Sequence, residues 1–328
     1  MKITLAHGSG GTSTGELIEQ VFAKAYANPI LGRMEDSAVI PGAARIALTT
    51  DSFVVSPAFF PGGDLGRLAI CGTVNDLLVS GAEPKYLTAG FILETGADFA
   101  DLEKIAQSMA ETAREAGVLI VAGDTKVVEG KGEIYVNTAG VGFVAEGVDW
   151  KGPNCRPGDR IIVSGNLGDH HAAILSRRMG IENDIVSDCA PLSDMVGALH
   201  RGGVAVRAAR DVTRGGLATV LNELARASGT RFVLEQTLLP VSPAVRGLCG
   251  LLGLDPLYMG NEGKLAVVVA PEDAEKTVEL LRASRYGEDA CCIGTVEEAE
   301  EPSVALVTEL GGRRVVGPLF GEGLPRIC

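Results

Sequence analysis

The sequence has no apolar run near the roughly 18 to 20 residues that a membrane-spanning helix needs. Its opening, Met1-Lys2-Ile3-Thr4-Leu5-Ala6-His7, meets Gly8 before an apolar stretch of signal-peptide length can form. A cytoplasmic protein is the expectation that follows. Basic charge is also scarce: 29 Lys and Arg stand against 42 Asp and Glu, a formal net charge of −13. Phosphate backbones are gripped by clustered Lys and Arg, so nucleic acid is not an expected partner. None of the seven cysteines forms a C-x-x-C pair, which excludes a zinc ribbon or a thioredoxin-type motif. An odd number of thiols in a large acidic chain also argues against a disulfide framework. Cys71, Cys155, Cys189, Cys249, Cys291 and Cys292 read as small buried hydrophobes. Cys328, the last residue, does not fit that reading.

Glycine is in excess, at 43 of 328 residues, roughly twice the usual share. The 46% hydrophobic content is ample for a globular core. A chain of this length exceeds one ordinary core, so two domains of roughly 150 residues each are expected. His7-Gly8-Ser9-Gly10-Gly11-Thr12-Ser13 forms a Gly-rich loop that feeds a helix over 14–26, with Ser13 and Glu16 spaced as a capping box. Extended stretches are predicted over 37–40 and 45–50, helices over 64–80 and 100–116, and strands over 86–93, 118–122 and 134–144. The turn-rich stretch 149–158 reads as a linker. Beyond it, strands are predicted over 160–164, 231–234, 264–270, 291–296 and 304–307, and helices over 170–179, 191–208, 216–227 and 272–284. Helices and strands mix in both halves without strict βαβ alternation, so the fold class is α+β with two mixed αβ domains. The expected division is a flexible Gly-rich segment over 1–35, domains over 36–150 and 151–320, and a mobile tail over 321–328.

The N-terminal loop has the makings of an anion site, because N–H groups of a Gly-rich turn entering a helix attract phosphate. It is not a P-loop, since Glu16 stands where that motif needs Lys, and it lacks the full dinucleotide-binding spacing. Taken alone it is equally a flexible turn. Four aspartates stand in telling contexts: Asp36 before a short strand, Asp51 at a strand end, Asp76 inside an apolar helix, and Asp124 at another strand end. A charge on the apolar side of a helix is costly unless paired or metal-bound. Carboxylates at strand ends can converge on one rim, where Mg²⁺ and polyphosphate neutralise them. In the second half, Asp211 or Thr213 can cap the helix that follows, or the same helix end can hold phosphate. Asn261-Glu262-Gly263-Lys264 places a carboxylate and an ammonium just before a strand.

Several phrases occur in order along the whole chain: His7-Gly8-Ser9-Gly10-Gly11, Thr50-Asp51-Ser52, Val74-Asn75-Asp76-Leu77, Ala122-Gly123-Asp124-Thr125-Lys126, Gly168-Asp169-His170, Asp211-Val212-Thr213-Arg214-Gly215-Gly216-Leu217 and Gly260-Asn261-Glu262-Gly263. The chain then ends in Pro325-Arg326-Ile327-Cys328. Together they resemble the HypE family of hydrogenase-maturation carbamoyl dehydratases, within the ATP-binding superfamily of aminoimidazole ribonucleotide synthetase. Val212 stands where the family usually has Pro, and His171 where it usually has Gly.

The resemblance implies a homodimer whose first domain binds ATP. It implies that a carbamoyltransferase, HypF, loads a carboxamide onto the sulfur of Cys328. ATP then drives its dehydration to a thiocyanate, and the cyano group passes to a HypC–HypD scaffold that builds the iron centre of [NiFe] hydrogenases. By the same match, Asp36, Asp51, Asp76 and Asp124 hold Mg²⁺ and ATP, and Gly8, Ser9, Gly10, Gly11, Asp211 and Asn261 complete the nucleotide contacts. Glu262 is the base, Lys126 orients the amide, and Cys328 carries it. Eight tail residues from Gly321 to Cys328 extend to at most about 26 Å. A selenophosphate synthetase would carry a reactive Cys in the N-terminal loop, which has none between His7 and Thr14. The rival of another class is a nucleotide-sensing scaffold that binds ATP and recruits partners without turnover.

Overall fold

A computed structural model describes residues 1–8, 12–34 and 37–319. Ser9, Gly10, Gly11, Asp36 and Cys328, each given a role above, lie outside the described residues, as does the tail over 321–328.

Helix α1 (Thr12–Leu17) continues as a wider π-type turn over Ile18–Ala23. Leu17, Val21 and Phe22 bury one side of it, and the Phe22 and Phe91 rings meet at 4.6 Å between centroids. The described part of the segment expected to be flexible is therefore docked on the first sheet. That sheet grows from β1 (Ile46–Phe53), followed by a short hairpin of β2 (Phe59–Phe60) and β3 (Gly63–Asp64), then α2 (Leu65–Val79) and β4 (Ala82–Glu94). Helix α3 (Phe99–Ala116), β5 (Leu119–Val128) and β6 (Ile134–Val144) complete the unit. The four long strands lie in the order β1-β6-β4-β5, antiparallel except for β4 with β5.

Helix α2 is capped by Asp64, whose side chain accepts the Arg67 N–H at 2.9 Å. It is apolar around almost its whole circumference and buried along nearly its whole length, which marks a helix enclosed on all sides. Helix α3 is amphipathic instead. Asp98 caps its start, its buried face includes Leu102, Ile105 and Met109, and Gly117 (φ +77°) closes it. These two helices cover one face of the sheet. The other face is open, with Ile46, Leu48 and Ile92 exposed at 54%, 74% and 48%.

The second unit runs β7 (Arg160–Val163), α4 (Asp169–Met179), α5 (Ser193–Gly202), β8 (Val206–Asp211), α6 (Gly216–Ser228), β9 (Arg231–Glu235), α7 (Pro243–Leu252) and β10 (Leu265–Val269). It ends with α8 (Ala274–Arg282), β11 (Cys291–Glu297), β12 (Ser303–Val307) and β13 (Arg313–Val315). Its seven strands lie in the order β13-β12-β9-β11-β7-β10-β8. Every residue of β10 is buried, as expected for a strand covered on both faces. On one face Ile161, Val163, Ala266 and Val268 pack with α6. On the other, Ile162, Val267 and Val269 join a core that also contains α2, α3 and the first sheet. One apolar core therefore runs through both units, with α2 at its centre.

Three stretches differ from the periodicity. The helix predicted over 191–208 stops at Gly202, where Gly203 takes φ +63°, and the rest becomes β8 at the sheet edge. Helix α7, unforeseen, forms behind the Ser242 cap. Residues 37–40 join no sheet.

Between α4 and α5, residues 183–192 have no helix or strand yet bury Ile185, Ser187, Cys189, Ala190 and Leu192. They are held by Asn75 of α2, which is 2% exposed. Its amide donates to Ala190 O at 3.1 Å and Glu262 O at 3.4 Å, and its oxygen accepts the Leu192 N–H at 2.9 Å. Replacing Asn75 with Ala strands these main-chain groups in the core. We expect Asn75→Ala to lower the unfolding free energy by about 2–4 kcal/mol, read from urea denaturation. A loss under about 0.5 kcal/mol would mean that the amide is not needed to hold the two units together.

Candidate functional site

A cavity of about 280 Å³ opens where β1, α2, the end of β8, the turn before α6 and the loop before β10 meet. Four carboxylic acids line it: Asp51, Asp76, Asp211 and Glu262. Each is delivered by a different element. Asp51 stands on β1 with its Oδ1 accepting the Ser52 N–H at 2.8 Å. Asp76 breaks the apolar pattern of α2 and accepts the Thr49 hydroxyl at 2.8 Å. Asp211 ends β8. Glu262, 7% exposed, sits in the loop that leads into β10.

The crowding shows in proton affinity. Burial, against the pull of the Thr49 hydroxyl, Arg210 and Arg214, raises the Asp76 carboxyl above its usual range, and Asp51 adds to the rise. Burial, with Asp76 as the next cause, lifts Asp211 to about 7. Burial and then Asp211, Asp188, Cys71 and Asp51 push Glu262 well above the ordinary carboxylate range. Desolvation and like charge both disfavour the ionised form. The cavity is therefore short of positive charge.

The turn before α6 forms another wall, through Thr213 and Arg214. Neither Asp211 nor Thr213 caps the helix: the N-cap position is Gly215 and no side chain caps it. Gly216 adopts φ +63°, and a Cβ there would lie 2.5 Å from Leu257 O, so only glycine fits.

The remaining expected residues lie elsewhere. Asp124 and Lys126 are on β5, the edge of the first sheet opposite β1. Register puts them on its open face, level with Gly90 and Ile92. Lys126 Nζ reaches both Asp124 oxygens, at 2.8 and 2.6 Å, and holds that carboxyl below its usual range. Gly8 packs on the same strand, where a Cβ would lie 2.7 Å from Val127 N. Beside them a largely apolar cavity of about 220 Å³, lined by Phe22, Tyr26, Phe91 and Val121, reaches Asp124. One chain thus brings Asp51, Asp76, Asp211 and Glu262 together and keeps Gly8, Asp124 and Lys126 apart from them.

Asn261, expected to meet the nucleotide, is fully buried. Its oxygen accepts the Gly168 N–H at 2.7 Å, and its amide donates to Val212 O and Met259 O at 3.0 and 3.1 Å. All its polar atoms serve the main chain. His170 is also interior, with Nδ1 2.8 Å from Ser187 Oγ and its ring edge-on to Phe60. Burial lowers its proton affinity to about 4.

Sequence reasoning gave no role to Thr49, Asn75, Arg214 or Asp188, and marked Lys264 only as an ammonium ahead of a strand. Asn75 carried a signal, as a second polar residue beside Asp76 in an apolar helix. Asp188 carried none, since 181–190 has neither periodicity nor turn pattern.

Residues 34–144 match the family described as AIR synthase related protein, N-terminal domain, and residues 156–307 the corresponding C-terminal domain. "Carbamoyl dehydratase HypE" of Azotobacter vinelandii is 50% identical over 99% of this chain and 97% of its own length. A crystal structure of the hydrogenase maturation protein HypE in complex with ATP superposes with a TM-score of 0.95, at 44% identity and over 99% of both chains. A HypE chain in a HypE–HypF complex superposes with a TM-score of 0.81, at 46% identity, over 92% of this chain and 99% of its own. With its length, both halves of its fold and its cavity-lining segments all matched, the chain belongs to the HypE family of carbamoyl dehydratases.

Proposed function

We propose that this chain dehydrates an S-carbamoyl group on its own Cys328 to an S-cyano group at the cost of ATP, in the cytoplasm, supplying cyanide for the iron of a [NiFe] hydrogenase. The observation that carries the reading is the convergence of Asp51, Asp76, Asp211 and buried Glu262 on one cavity. The family name of the relatives, the ATP bound by one of them and the HypF complex of another support it. HypF is accordingly the donor of the carbamoyl group and a HypC–HypD scaffold the acceptor of the cyano group.

Among the described residues no three His, Cys, Asp or Glu side chains are arranged to enclose a metal ion. Mg²⁺ does not ask for that, since it is usually held by one or two carboxylates with phosphate oxygens and water. Asp51 and Asp76 fit such a role, in a cavity whose four lining carboxyls outnumber its one lining cation among the described residues, Arg214. When bound there, Mg²⁺ supplies charge neutralisation for phosphoryl transfer. Arg214 and the uncapped start of α6 face the phosphates.

In the reaction, the carboxamide oxygen bonds to the γ-phosphorus and ADP leaves. Glu262 takes a proton from the amide nitrogen, whose lone pair then forms a C=N bond. Loss of the second N–H proton and departure of phosphate with the former amide oxygen leave a nitrile on the sulfur. Carbamoyl and ATP thus become cyano, ADP and phosphate. A carboxylate destabilised by its surroundings is a strong base for this work.

Lys126 orients the amide in this reading, yet β5 holds it at the far edge of the sheet from the cavity. A second copy stacked on the open face, where Ile46, Leu48 and Ile92 are exposed, brings a β5 edge to a β1 edge. The site is then shared between two chains, with Asp124 and Lys126 of one serving the cavity of the other. Asp36 and the Gly8–Gly11 loop join it as nucleotide contacts.

Mass spectrometry of the C-terminal peptide tests the chemistry. With HypF, carbamoyl phosphate and ATP, wild type is expected to lose water from carbamoylated Cys328. Glu262→Gln should accumulate the carbamoyl form. ATP cleavage by Cys328→Ala at the wild-type rate would overturn the self-modification.

Stacking is tested by sedimentation and complementation. Leu48→Asp is expected to give a monomer without ATPase activity. Mixing inactive Lys126→Ala with inactive Glu262→Gln should restore about a quarter of wild-type activity, since half the dimers are mixed and each has one intact site. No recovery in a mixture shown to exchange subunits would mean that Lys126 acts within its own chain.

The raised carboxyls set a pH dependence. Asp211 titrates near 7 in the folded chain and near ~4 when unfolded, so the folded state alone keeps this proton in between. Stability contributed by the group is lost as pH rises through that interval. Buried His170 and His171, lowered to about 4, act in the opposite sense below about 6.5. Between about pH 6.5 and about 8 the melting temperature of the nucleotide-free chain should therefore fall. Asp211→Asn should make the fall shallower, and an unchanged slope in calorimetry would refute the assignment.

A further inference from the structure

The carboxyl of Asp188 lies in the 183–192 strap and is 2% exposed. Burying a carboxylate is costly unless partners are supplied, and Asp188 has three. Its Oδ1 accepts the Glu262 N–H at 3.1 Å, its Oδ2 accepts the Gly263 N–H at 3.2 Å, and Lys264 Nζ stands 3.4 Å from Oδ2. All three belong to consecutive residues of the loop that carries Glu262. The strap and the loop are also in direct backbone contact. A Cβ on Gly263 would lie 1.9 Å from Asp188 O, and the Ala190 N–H bonds to Glu262 O at 3.3 Å.

The strap is itself fastened to the unit that bears Asp51 and Asp76. Ser187 N–H bonds to Pro61 O at 2.8 Å, Arg67 Nε donates to Cys189 O at 2.7 Å, and Asn75 grips Ala190 and Leu192. The unit that bears Asp51 and Asp76 thus reaches the Glu262 loop through Asn75 and Ala190, which both bond to Glu262 O, and through the Asp188 carboxyl, which takes the N–H groups of Glu262 and Gly263. Asp188 does not line the cavity.

We propose that Asp188 is a positioning residue for the reaction: with Lys264 as its counter-charge, it holds the main chain of residues 262–263 so that the Glu262 carboxyl faces the bound amide. The proposal rests on Glu262 being the base. Residues that hold a catalytic group through one intervening bond typically matter by about 10- to 100-fold, and a small misplacement costs about as much.

The test is single-turnover loss of water from the full chain carbamoylated at Cys328, in a two-by-two set of variants. Asp188→Asn keeps the volume and one acceptor but removes the second acceptor and the ion pair. It should slow the step about 10- to 100-fold while ATP affinity, by calorimetry, stays within about twofold, because the nucleotide contacts are untouched. In the Glu262→Gln background the same change should cost less than about threefold, since the group it positions is gone. Should Asp188→Asn fail to fold around an unpaired Lys264, Asp188→Asn with Lys264→Gln removes both charges together, and the same readings apply. Equal losses in both backgrounds, or parallel losses of rate and ATP affinity, would make Asp188 a merely structural group and overturn the proposal. A slow Glu262→Gln beside a normal Asp188→Asn overturns it alone. A normal Glu262→Gln overturns the base assignment, and this role with it.

Discussion

Asn75 places an amide in the middle of a helix that is largely apolar and enclosed. The position is tolerable only because the strap over 183–192 supplies a partner for both ends of the group. Much of the site geometry descends from that bond. The next residue, Asp76, is turned towards β1 and the Thr49 hydroxyl, while the strap beyond it lies against the loop of Glu262. A nonpolar residue at 75 would fill the space but would leave the strap's main chain without partners.

The acidic cavity follows from this arrangement rather than from any one element. Four carboxyls arrive from a strand, a helix, a strand end and a loop, and the nearby cations do not match them. A site built this way is poised for a divalent cation, of the kind that accompanies a polyphosphate. It also raises the basicity of Glu262, the group that the proposed chemistry needs as a proton acceptor.

The sequence made some of this legible. Asp76 was visible because a charge inside an apolar helix is anomalous, and the helix itself because Asp64 and Gly81 bracket it. Asp51 stood at the end of an apolar run, and Asp211 just before a predicted helix. What could not be read was which carboxyls meet: Asp124 has the same strand-end context as Asp51, but the order β1-β6-β4-β5 sends it to the other edge. Strand β8 was hidden because Arg207 and Arg210 interrupt its alternation, which an edge position permits. Asp188 was hidden for a different reason. Its partners are main-chain N–H groups 74 and 75 residues away, and such bonds leave no mark on residue spacing.

The apolar core that passes through α2 into both sheets sets a limit on motion. Two units sharing one core do not part like the halves of a clam, because opening would expose the helix between them. The proposed substrate, a group carried on Cys328, suits such a body. Under that proposal it arrives already tethered, at the millimolar local concentration that a short tether provides, and needs no wide gate. Selectivity then falls less on the shape of the cavity than on the earlier act of attachment, since a compound that was never fixed to the tail competes at a large entropic disadvantage.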